Sequence, residues 1–260
     1  MNVDVEKFNT QGFLIIKNFF SQTDILNMVM EGVEEYGKIF TSGFKFNNSL
    51  KILSSLSDVQ RSTFYRGLRY LPELTQISCD RALLNLSKEL GLKSPAVMHS
   101  FNLRMDYPGD NEYLFHWHQD STYLLGSENA VTYWLPLTCV SRALGSIAII
   151  PGSHKRGLYP FNISESYGGN GSLSPKDINL KDVPTSEDIY VVEAEPGDLV
   201  VFSQLLLHSS FPGNREDIRW TIQIRHSDYS NERFLNAGFP MGDATNITKV
   251  NYLPCFDGHS

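Results

Sequence analysis

The hydrophobic and polar positions change their period near residue 95. Before that point, a short apolar run at 12–19 predicts a strand, and apolar residues recur at helical spacing between 26 and 33. Two later stretches, 57–70 and 74–90, also show spacing that is typical of helices. The pattern therefore predicts that the N-terminal part, 1–95, is mainly helical.

Local signals mark the ends of two of these predicted helices. Ser21 and Asp24 resemble the capping box that precedes a helix. Gly91 follows the stretch that ends at Leu90, where a glycine is expected just beyond a helix C-terminus. These positions predict a helix that begins shortly after Asp24 and another that ends close to Leu90.

The second part of the chain has a different pattern. Its apolar runs are short, rich in β-branched and aromatic residues, and separated by Pro and Gly turns, which is typical of a sandwich or barrel. Helices followed by strands predict an α+β architecture with a mainly β core, in which the N-terminal helices pack on one face of an antiparallel sheet. The predicted strands are 97–107, 130–138, 146–150, 189–194, 198–202 and 219–226.

The last predicted strand, 219–226, has two chemically distinct faces. In one interpretation, the polar face of this strand is exposed to solvent. In the other, the polar face lines a wet barrel interior and the apolar face packs against the helices. Both interpretations are open at this stage. The polar set is Arg219, Thr221, Gln223 and Arg225, and the apolar set is Trp220, Ile222 and Ile224.

A length of 260 residues fits one domain, 1–260, since single β-barrel domains often reach this size. We divide it into the helical part, a core at 96–228 and a C-terminal extension at 229–260. Within the core, 157–188 is rich in Gly, Ser, Asn and Pro. A loop of this length is usually functional, so we interpret it as a lid-like insertion, with an ordinary surface insertion as the alternative.

Composition narrows the class of protein. Hydrophobic residues make up 41% and charged residues 20%, which is a globular composition. The net charge of −7 without a Lys/Arg run disfavours a nucleic-acid partner. The polar N-terminus and the lack of a long apolar run predict no signal peptide and no membrane span. We therefore expect a cytoplasmic protein, and three distant cysteines agree with a reducing compartment: Cys79, Cys139 and Cys255.

A candidate metal site begins at His118 and Asp120. In an extended segment, residues i and i+2 point to the same side, so both side chains can meet one ion. His208, at the end of an apolar run, is the best third ligand. Two histidines and one carboxylate form the facial triad of iron(II) oxygenases, which leaves positions open for co-substrate and dioxygen. His116 shares the face of His118 and is an alternative ligand, although contact with the ligands or the substrate suits it better.

A candidate anion anchor follows the third ligand. Arg219 lies on the strand after His208, and a planar guanidinium can hold a carboxylate through two hydrogen bonds. It would hold the distal carboxylate of 2-oxoglutarate, whose 2-oxo acid end would bind iron. Ser210 could add a hydroxyl donor to the same carboxylate. Asn102 and Arg104 share one face of the strand before the metal motif, and either could reach the co-substrate or the substrate.

The ordered series of motifs between about 97 and 228 resembles the phytanoyl-CoA dioxygenase family of iron(II)- and 2-oxoglutarate-dependent oxygenases. The resemblance implies a double-stranded β-helix, also called a jelly roll and cupin-like, with Fe(II), 2-oxoglutarate and O2 as cofactor and co-substrates. It also implies that Gln119, Trp134, Ser210 and Arg219 surround the 2-oxoglutarate. The motifs are Trp117-His118-Gln119-Asp120, Trp134-Leu135-Pro136-Leu137, Gly145-Ser146, Pro151-Gly152-Ser153-His154-Lys155-Arg156-Gly157, Pro196-Gly197-Asp198, and His208-Ser209-Ser210 with Asn214 and Arg219.

The resemblance implies a dioxygenase that releases succinate and CO2, and we expect it to hydroxylate an unactivated C–H bond. The long lid-like insertion and the polar inward residues favour a small or mid-sized metabolite as the substrate. The presence of Asp120 favours hydroxylation over halogenation, while desaturation, cyclisation and epimerisation stay open. Two alternatives are another metal-dependent cupin-type enzyme, such as an isomerase or hydrolase, and a non-catalytic jelly-roll binding protein. Arg219 distinguishes the oxygenase from the cupin-type enzyme, because this arginine has no special role in a cupin-type isomerase or hydrolase. We expect a small-molecule substrate and a monomer or homodimer.

Overall fold

The computed structural model describes residues 3–20, 25–109, 114–163, 178–180 and 188–243. Within these ranges, helices are concentrated in the N-terminal part, as the periodicity predicts. Asp4 caps the first helix by accepting a hydrogen bond from the backbone N–H of Lys7. The helices are α1 Val5–Gln11, α2 Ile25–Gly37, α3 Ser49–Ser55, α4 Asp58–Leu68, α5 Pro72–Ser78, α6 Arg81–Glu89 and α7 Glu232–Asn236.

The strands follow mainly after residue 94, and the six strands predicted there all have a counterpart. The strands are β1 Phe13–Ile16, β2 Pro95–Asp106, β3 Leu124–Leu125, β4 Val131–Pro136, β5 Ser146–Ile149, β6 Phe161–Ile163, β7 Ile178–Leu180, β8 Tyr190–Val191, β9 Leu199–Ser203, β10 His208–Phe211, β11 Arg219–Asp228 and β12 Gly242–Asp243.

Two antiparallel sheets build the β core. The larger sheet has the order β1-β9-β4-β11-β2 and the smaller one the order β10-β5-β8. Apolar side chains of both sheets pack against each other, which brings the sheets face to face: Phe13, Trp134, Val200 and Phe202 come from the larger sheet, and Ile147 and Ile149 from the smaller. The metal-site residues lie between the same two sheets.

The helices cover the other face of the larger sheet. Trp220, Ile222 and Ile224 of β11 are buried in one cluster with apolar residues of the helices, including Val29, Val33, Leu74, Ile77 and Leu83. Arg219, Thr221, Gln223 and Arg225 face the cavity between the sheets. This confirms the wet-interior interpretation of the strand. The expected arrangement of antiparallel sheet and helices is also confirmed.

The prediction of a single helix over 74–90 is wrong. The segment forms α5 and α6, which are separated at Cys79 and Asp80. The Asp80 side chain accepts a hydrogen bond from the backbone N–H of Ala82 and so caps a new helix. Gly91 adopts a φ of 99° directly after α6, as the sequence predicts for that end. Helices α1, α3 and α7 have no counterpart among the sequence predictions.

Several predictions fall partly or wholly outside the described residues. The capping box at Ser21 and Asp24 lies outside them. Of the proposed lid, 157–188, the structure describes 157–163, 178–180 and 188, and β6 and β7 pair there as an antiparallel ladder. Residues 164–177 and 181–187 lie outside the described part. The C-terminal extension contains α7 and β12, and 244–260 lie outside the described part. The division into one domain stays a prediction.

Among the residues that the structure describes, we find no helix that is both long and apolar enough to cross a bilayer.

Candidate metal centre

His118 and His208 are brought side by side by backbone pairing. The N–H of His118 donates to the carbonyl of His208 at 2.9 Å, and the N–H of His208 donates back at 3.0 Å. This two-residue antiparallel bridge extends the smaller sheet beyond β10. Residues opposite each other in such a bridge place their side chains on the same face, and the two imidazole rings lie 4.1 Å apart between centroids.

Both imidazoles present the same nitrogen to the site. The Nδ1 atom of His118 lies 2.6 Å from the carbonyl oxygen of His116, and that of His208 lies 3.0 Å from the carbonyl oxygen of Leu206. A carbonyl only accepts, so each Nδ1 carries the proton and each Nε2 has a lone pair. The Nε2 atoms lie 3.9 Å and 3.6 Å from Oδ1 of Asp120.

The carboxylate of Asp120 is oriented by three donors. Its Oδ2 accepts hydrogen bonds from the Thr132 hydroxyl at 2.7 Å and from Nε of Arg225 at 2.9 Å. Its Oδ1 accepts one from the Tyr123 hydroxyl at 2.6 Å. Because Oδ2 is held by Thr132 and Arg225, Oδ1 is the oxygen that faces the two imidazoles. Partners of this kind fix the orientation of metal-ligating side chains.

The electrostatics of the three residues suit a metal cation. Burial, with the neighbouring His208 as a further cause, lowers the pKa of His118 to about 3. Burial also lowers the pKa of His208. Burial alone would raise the pKa of Asp120, but Arg225 and the two histidines outweigh it and lower that pKa. At neutral pH the site therefore holds two neutral imidazoles and one carboxylate, the protonation state that metal binding requires.

The donor set fits iron(II). The three candidate ligand atoms lie within 4.8 Å of one another, and all three residues are buried. Two imidazoles and one carboxylate on one side of an ion leave the other side open for further ligands, which is the arrangement of non-haem iron oxygenases. No cysteine takes part, so the donor set differs from that of a closed structural zinc site of the cysteine-rich kind.

The three residues open into a cavity between the two sheets. The lining combines guanidinium groups, hydroxyls and aromatic rings. It consists of Arg104, Phe115, His118, Asp120, Tyr123, Trp134, Ile147, Phe202, His208, Ser209, Ser210, Arg219, Thr221, Gln223 and Arg225.

Arg219 lines this cavity, as the sequence predicts, but it already has an internal partner. Asp106 stands opposite Arg219 in the β11–β2 ladder, and its Oδ2 lies 2.9 Å from Nε and 2.7 Å from Nη2 of Arg219. Nη1 donates to the carbonyl of Ser146 at 2.8 Å. Nε of Arg104 donates to Oδ1 of the same Asp106 at 2.6 Å.

This cluster of Arg104, Asp106 and Arg219 carries a net charge of +1, from two guanidinium groups and one carboxylate. Burial would raise the pKa of Asp106, but the two arginines outweigh it and lower the pKa. The carboxylate is therefore ionised, and it holds both guanidinium groups in fixed positions. Arg104 also lies 4.0 Å above the ring of Phe115. This end of the cavity is thus a rigid cationic surface that can receive an anion.

Two further predicted residues, Ser210 and Trp134, line the cavity. The hydroxyl oxygen of Ser210 accepts a hydrogen bond from the backbone N–H of Phe115 at 3.0 Å. This contact leaves the hydroxyl proton of Ser210 for another acceptor. Trp134 is 2% exposed and packs between the sheets while it also contributes to the wall.

The structure corrects the expectation for Gln119. Its side chain is buried away from the cavity, where its amide nitrogen donates to the carbonyls of Gly157 and Leu205 and its oxygen accepts from the N–H of Tyr159. Residue 119 lies between His118 and Asp120, and neighbours in an extended segment point to opposite sides. Gln119 thus anchors the metal-binding segment to the loops behind it.

Asn102 and His116 also lie outside the lining of the cavity. Asn102 is on the same face of β2 as Arg104, but it pairs with Gln223 and so lies two residues further along the strand from the cluster of Arg104, Asp106 and Arg219. The side chain of His116 is exposed to solvent, and its backbone carbonyl is what contacts His118. His116 therefore does not compete as a ligand.

Sequence reasoning missed Asp106, Tyr123 and Thr132, and it left Arg225 without a partner. In the sequence, Asp106 next to Pro108 is typical of a turn residue. Its contact with Arg219 depends on the pairing of β11 with β2, which the sequence does not show. Thr132 shares the inward face of β4 with Trp134, so the period-two alternation was a usable signal. Tyr123 follows a short 3-10 turn at Asp120–Thr122, which no periodicity predicts.

Comparison with known proteins agrees with this geometry. The family model described as "Phytanoyl-CoA dioxygenase (PhyH)" matches residues 8–219, which is most of the chain. A 1-deoxypentalenic acid 11-beta-hydroxylase from Streptomyces exfoliatus is 29% identical over 144 residues, which are 54% of this chain and 50% of the hydroxylase. The match thus spans half the length of that relative. A probable phytanoyl-CoA dioxygenase from Caenorhabditis elegans is 23% identical over 244 residues, covering 88% of this chain and 76% of the relative.

Among solved structures, EctD from S. alaskensis, crystallised with 2-oxoglutarate and 5-hydroxyectoine, is similar with a TM-score of 0.58. The sequence identity is 16%, and the alignment covers 87% of this chain and 76% of EctD. At this identity the likeness concerns the fold.

Proposed function

The chain belongs to the phytanoyl-CoA dioxygenase family of non-haem iron and 2-oxoglutarate-dependent oxygenases, and on that premise we propose that it hydroxylates a C–H bond of a small or mid-sized metabolite. In this proposal His118, Asp120 and His208 hold iron(II), and Arg219 with Ser210 holds the distal carboxylate of 2-oxoglutarate. The larger and smaller sheets are then the two halves of a double-stranded β-helix.

One observation carries the proposal. The three candidate ligands and a buried guanidinium line a single cavity, so one molecule with an oxo acid at one end and a carboxylate at the other could contact both. A cupin-type isomerase or hydrolase needs the metal but has no use for Arg219. A non-catalytic binding protein needs neither the open side of the metal nor the fixed cationic surface formed by Arg104, Asp106 and Arg219.

When bound, iron(II) with 2-oxoglutarate and dioxygen supplies the oxidation, in which one oxygen atom enters the substrate C–H bond and the other leaves in succinate, with release of CO2. The residues of the chain hold the metal and the co-substrate in position. Asp106 keeps Arg219 fixed before the co-substrate arrives, which lowers the cost of ordering on binding. Thr132 and Arg225 keep Asp120 Oδ1 directed at the metal.

Aromatic rings form the wall of the cavity beside the two imidazoles. Phe115, Phe202 and Tyr123 surround the two imidazoles, with ring centroids 4.8 Å to 5.7 Å from those of His118 or His208. Polar side chains, including Gln223 and Arg104, form the rest of the lining. This mixture supports a small polar or mid-sized substrate over a long aliphatic chain. Desaturation, cyclisation and epimerisation begin with the same C–H cleavage, so they stay alternatives to hydroxylation. The cytoplasmic location and the monomeric or homodimeric state also stay predictions.

Anaerobic titration with iron(II) and 2-oxoglutarate tests the proposal. We expect a weak visible charge-transfer band in the wild type that requires both ligands, and a much weaker one in Arg219→Ala. Arg233→Ala is the matched control, because Arg233 is a surface arginine paired with Glu128. With dioxygen and an accepted substrate, Asp120→Ala should not hydroxylate. Bound metal without a band in the wild type would contradict the oxygenase and favour the cupin-type alternative.

A further inference from the structure

A second pocket lies open on the surface of the protein, apart from the metal centre. Its volume is about 300 Å³, which is at the lower end of the range for small-molecule sites. The lining comes from residues 128–129, a turn at 154–157, Leu205 and Arg233 of α7. None of the described residues that line this pocket also lines the cavity with the metal ligands.

Gln119 separates the pocket from the metal centre. Its amide nitrogen donates to the carbonyls of Gly157 and Leu205, and both of these residues line the pocket. His118 and Asp120, on either side of Gln119 in sequence, face the cavity instead. Because neighbours in an extended segment point to opposite sides, the pocket lies behind the metal-binding segment. A molecule in the pocket therefore occupies a site of its own.

The pocket has a positive charge, although the formal net charge of the chain is −7. Lys155, Arg156 and Arg233 contribute three positive charges and Glu128 one negative charge, which leaves +2 (3 − 1 = 2). Burial lowers the pKa of His154, so this side chain adds no charge at neutral pH. The carboxylate of Glu128 pairs with Arg233. Among the residues that the structure describes, neither Lys155 nor Arg156 has a carboxylate partner.

The two guanidinium groups of the pocket are oriented by neighbouring side chains. That of Arg156 lies 4.9 Å from the ring centroid of Tyr159, and stacking of this kind leaves the N–H groups available for hydrogen bonds. In Arg233, Nη1 donates to Oε2 of Glu128 at 2.9 Å, which leaves further N–H groups for a ligand. Donors that are already oriented lower the cost of ordering on binding.

We propose that this pocket is a second ligand site, which binds a small molecule through a dianionic phosphate group. A phosphate monoester has a charge of about −1.5 to −2 at neutral pH, which matches the pocket better than the single charge of a carboxylate. Phosphate oxygens point in several directions, and guanidinium groups bind them through paired hydrogen bonds. Leu205 offers an apolar contact for the rest of the molecule. The inference does not depend on the proposed function, since the two sites share no lining residue.

Calorimetric titration of the full chain with inorganic phosphate tests the inference. No metal is added, so that phosphate cannot bind at a metal ion. We expect saturable binding to the wild type and weaker binding of acetate, which has a single charge. Arg156→Gln keeps much of the side-chain length but removes the charge, so it should bind phosphate about 10-fold more weakly. Lys155→Gln should change the affinity in the same direction.

Two control variants locate the site. Arg69→Gln removes the same charge from an exposed arginine at the end of α4, outside the pocket. Arg219→Ala removes the arginine at the cationic end of the metal cavity. Both variants should bind phosphate as tightly as the wild type. Since Lys155 and Arg156 are exposed, the melting temperatures of their variants should equal that of the wild type.

Several outcomes would overturn the inference. One is a wild type without saturable phosphate binding, and another is equal affinity in the wild type, Arg156→Gln and Lys155→Gln. Loss of binding in Arg219→Ala, with binding retained in Arg156→Gln, would mean that phosphate occupies the metal cavity. An equal loss in Arg69→Gln would indicate general attraction by surface charge. If Arg156→Gln melts at a lower temperature than the wild type, the comparison rests on Lys155→Gln.

Discussion

The two faces of strand β11 differ in how their side chains are used. On one face, Trp220, Ile222 and Ile224 are at most 1% exposed and pack against the helices. On the other face, Arg219 and Arg225 each form an ion pair with a carboxylate inside the cavity. The ten residues of β11 therefore have one face that packs in the hydrophobic core and one face whose charged side chains line the cavity.

This difference shows what a substitution on each face should change. On the helix face, side chains contribute through shape and buried area, so their loss lowers stability throughout the molecule. On the cavity face, each charge has a defined partner, so its loss changes the position of a ligand group. Substitutions on the two faces should thus separate stability from binding.

Trp220→Ala should have the largest effect. Trp220 is among the largest fully buried side chains, and its ring lies 5.1 Å from that of Phe46 between centroids. Removing a buried tryptophan leaves a cavity and typically costs about 3–5 kcal/mol. Chemical denaturation should show this loss, while metal affinity per folded molecule stays unchanged. Tyr229→Ala serves as the control, because Tyr229 is 52% exposed just after the strand. A loss of metal affinity in folded Trp220→Ala would break the separation of the two faces.

The predictability of the two faces from the sequence also differs. The alternation in 219–226 suffices to predict which residues of β11 share a face, because side chains alternate strictly along a strand. It does not predict partners, since Asp106 reaches Arg219 through the pairing of β11 with β2, 113 residues away in sequence. Arg225 reaches Asp120 across 105 residues. Long-range pairing sets these contacts, and local patterns contain no information on it.

The metal ligands were the more predictable part of the cavity face. His118 and Asp120 are two residues apart, so local geometry alone places them on one side, and His208 was found through its position after an apolar run. Gln119 shows the limit of motif reasoning. Its place in the motif suggested contact with the co-substrate, but alternation turns its side chain toward Gly157 and Leu205. The break between α5 and α6 was missed because apolar spacing continued through Asp80.

A pH titration of stability should show the next largest effect, at His226 on the helix face. Its Nε2 donates to the carbonyl of Ser78 at 2.8 Å, and its Nδ1 lies 2.7 Å from the hydroxyl of Ser87. Burial lowers the pKa of His226 from 6.5 to about 4. The unfolded chain therefore binds a proton more readily, so the contribution of His226 is complete above about pH 6.5 and is lost as the pH falls towards 4.

This lowering of the His226 pKa corresponds to a loss of roughly 3 kcal/mol of stability across this window. The measurement is the free energy of unfolding between pH 7 and pH 4 for the wild type and for His226→Gln. Both proteins share the other groups that titrate in acid, so the difference between their curves isolates His226. The variant should be less stable at pH 7 and should lose less stability on acidification. Parallel curves would show that His226 does not titrate differently on folding.

Arg225→Met should have the smallest of these effects, and it concerns the cavity face. The guanidinium of Arg225 is one of two donors that hold Oδ2 of Asp120, and Thr132 is the other. Methionine keeps much of the length and the apolar contacts of the arginine stem but removes the charge and the donor. Loss of a partner of a metal ligand typically lowers metal affinity about 10-fold to 100-fold.

Equilibrium titration with Co(II), a probe that tolerates air, measures this affinity in Arg225→Met, and Arg233→Met is the matched control at the surface. Thr132→Val removes the other donor to Oδ2 without removing a charge, so its affinity should lie between those of the wild type and Arg225→Met. If Arg225→Met bound Co(II) as tightly as the wild type but unfolded more readily, Arg225 would act like Trp220. The two faces of β11 would then differ in polarity but not in their role.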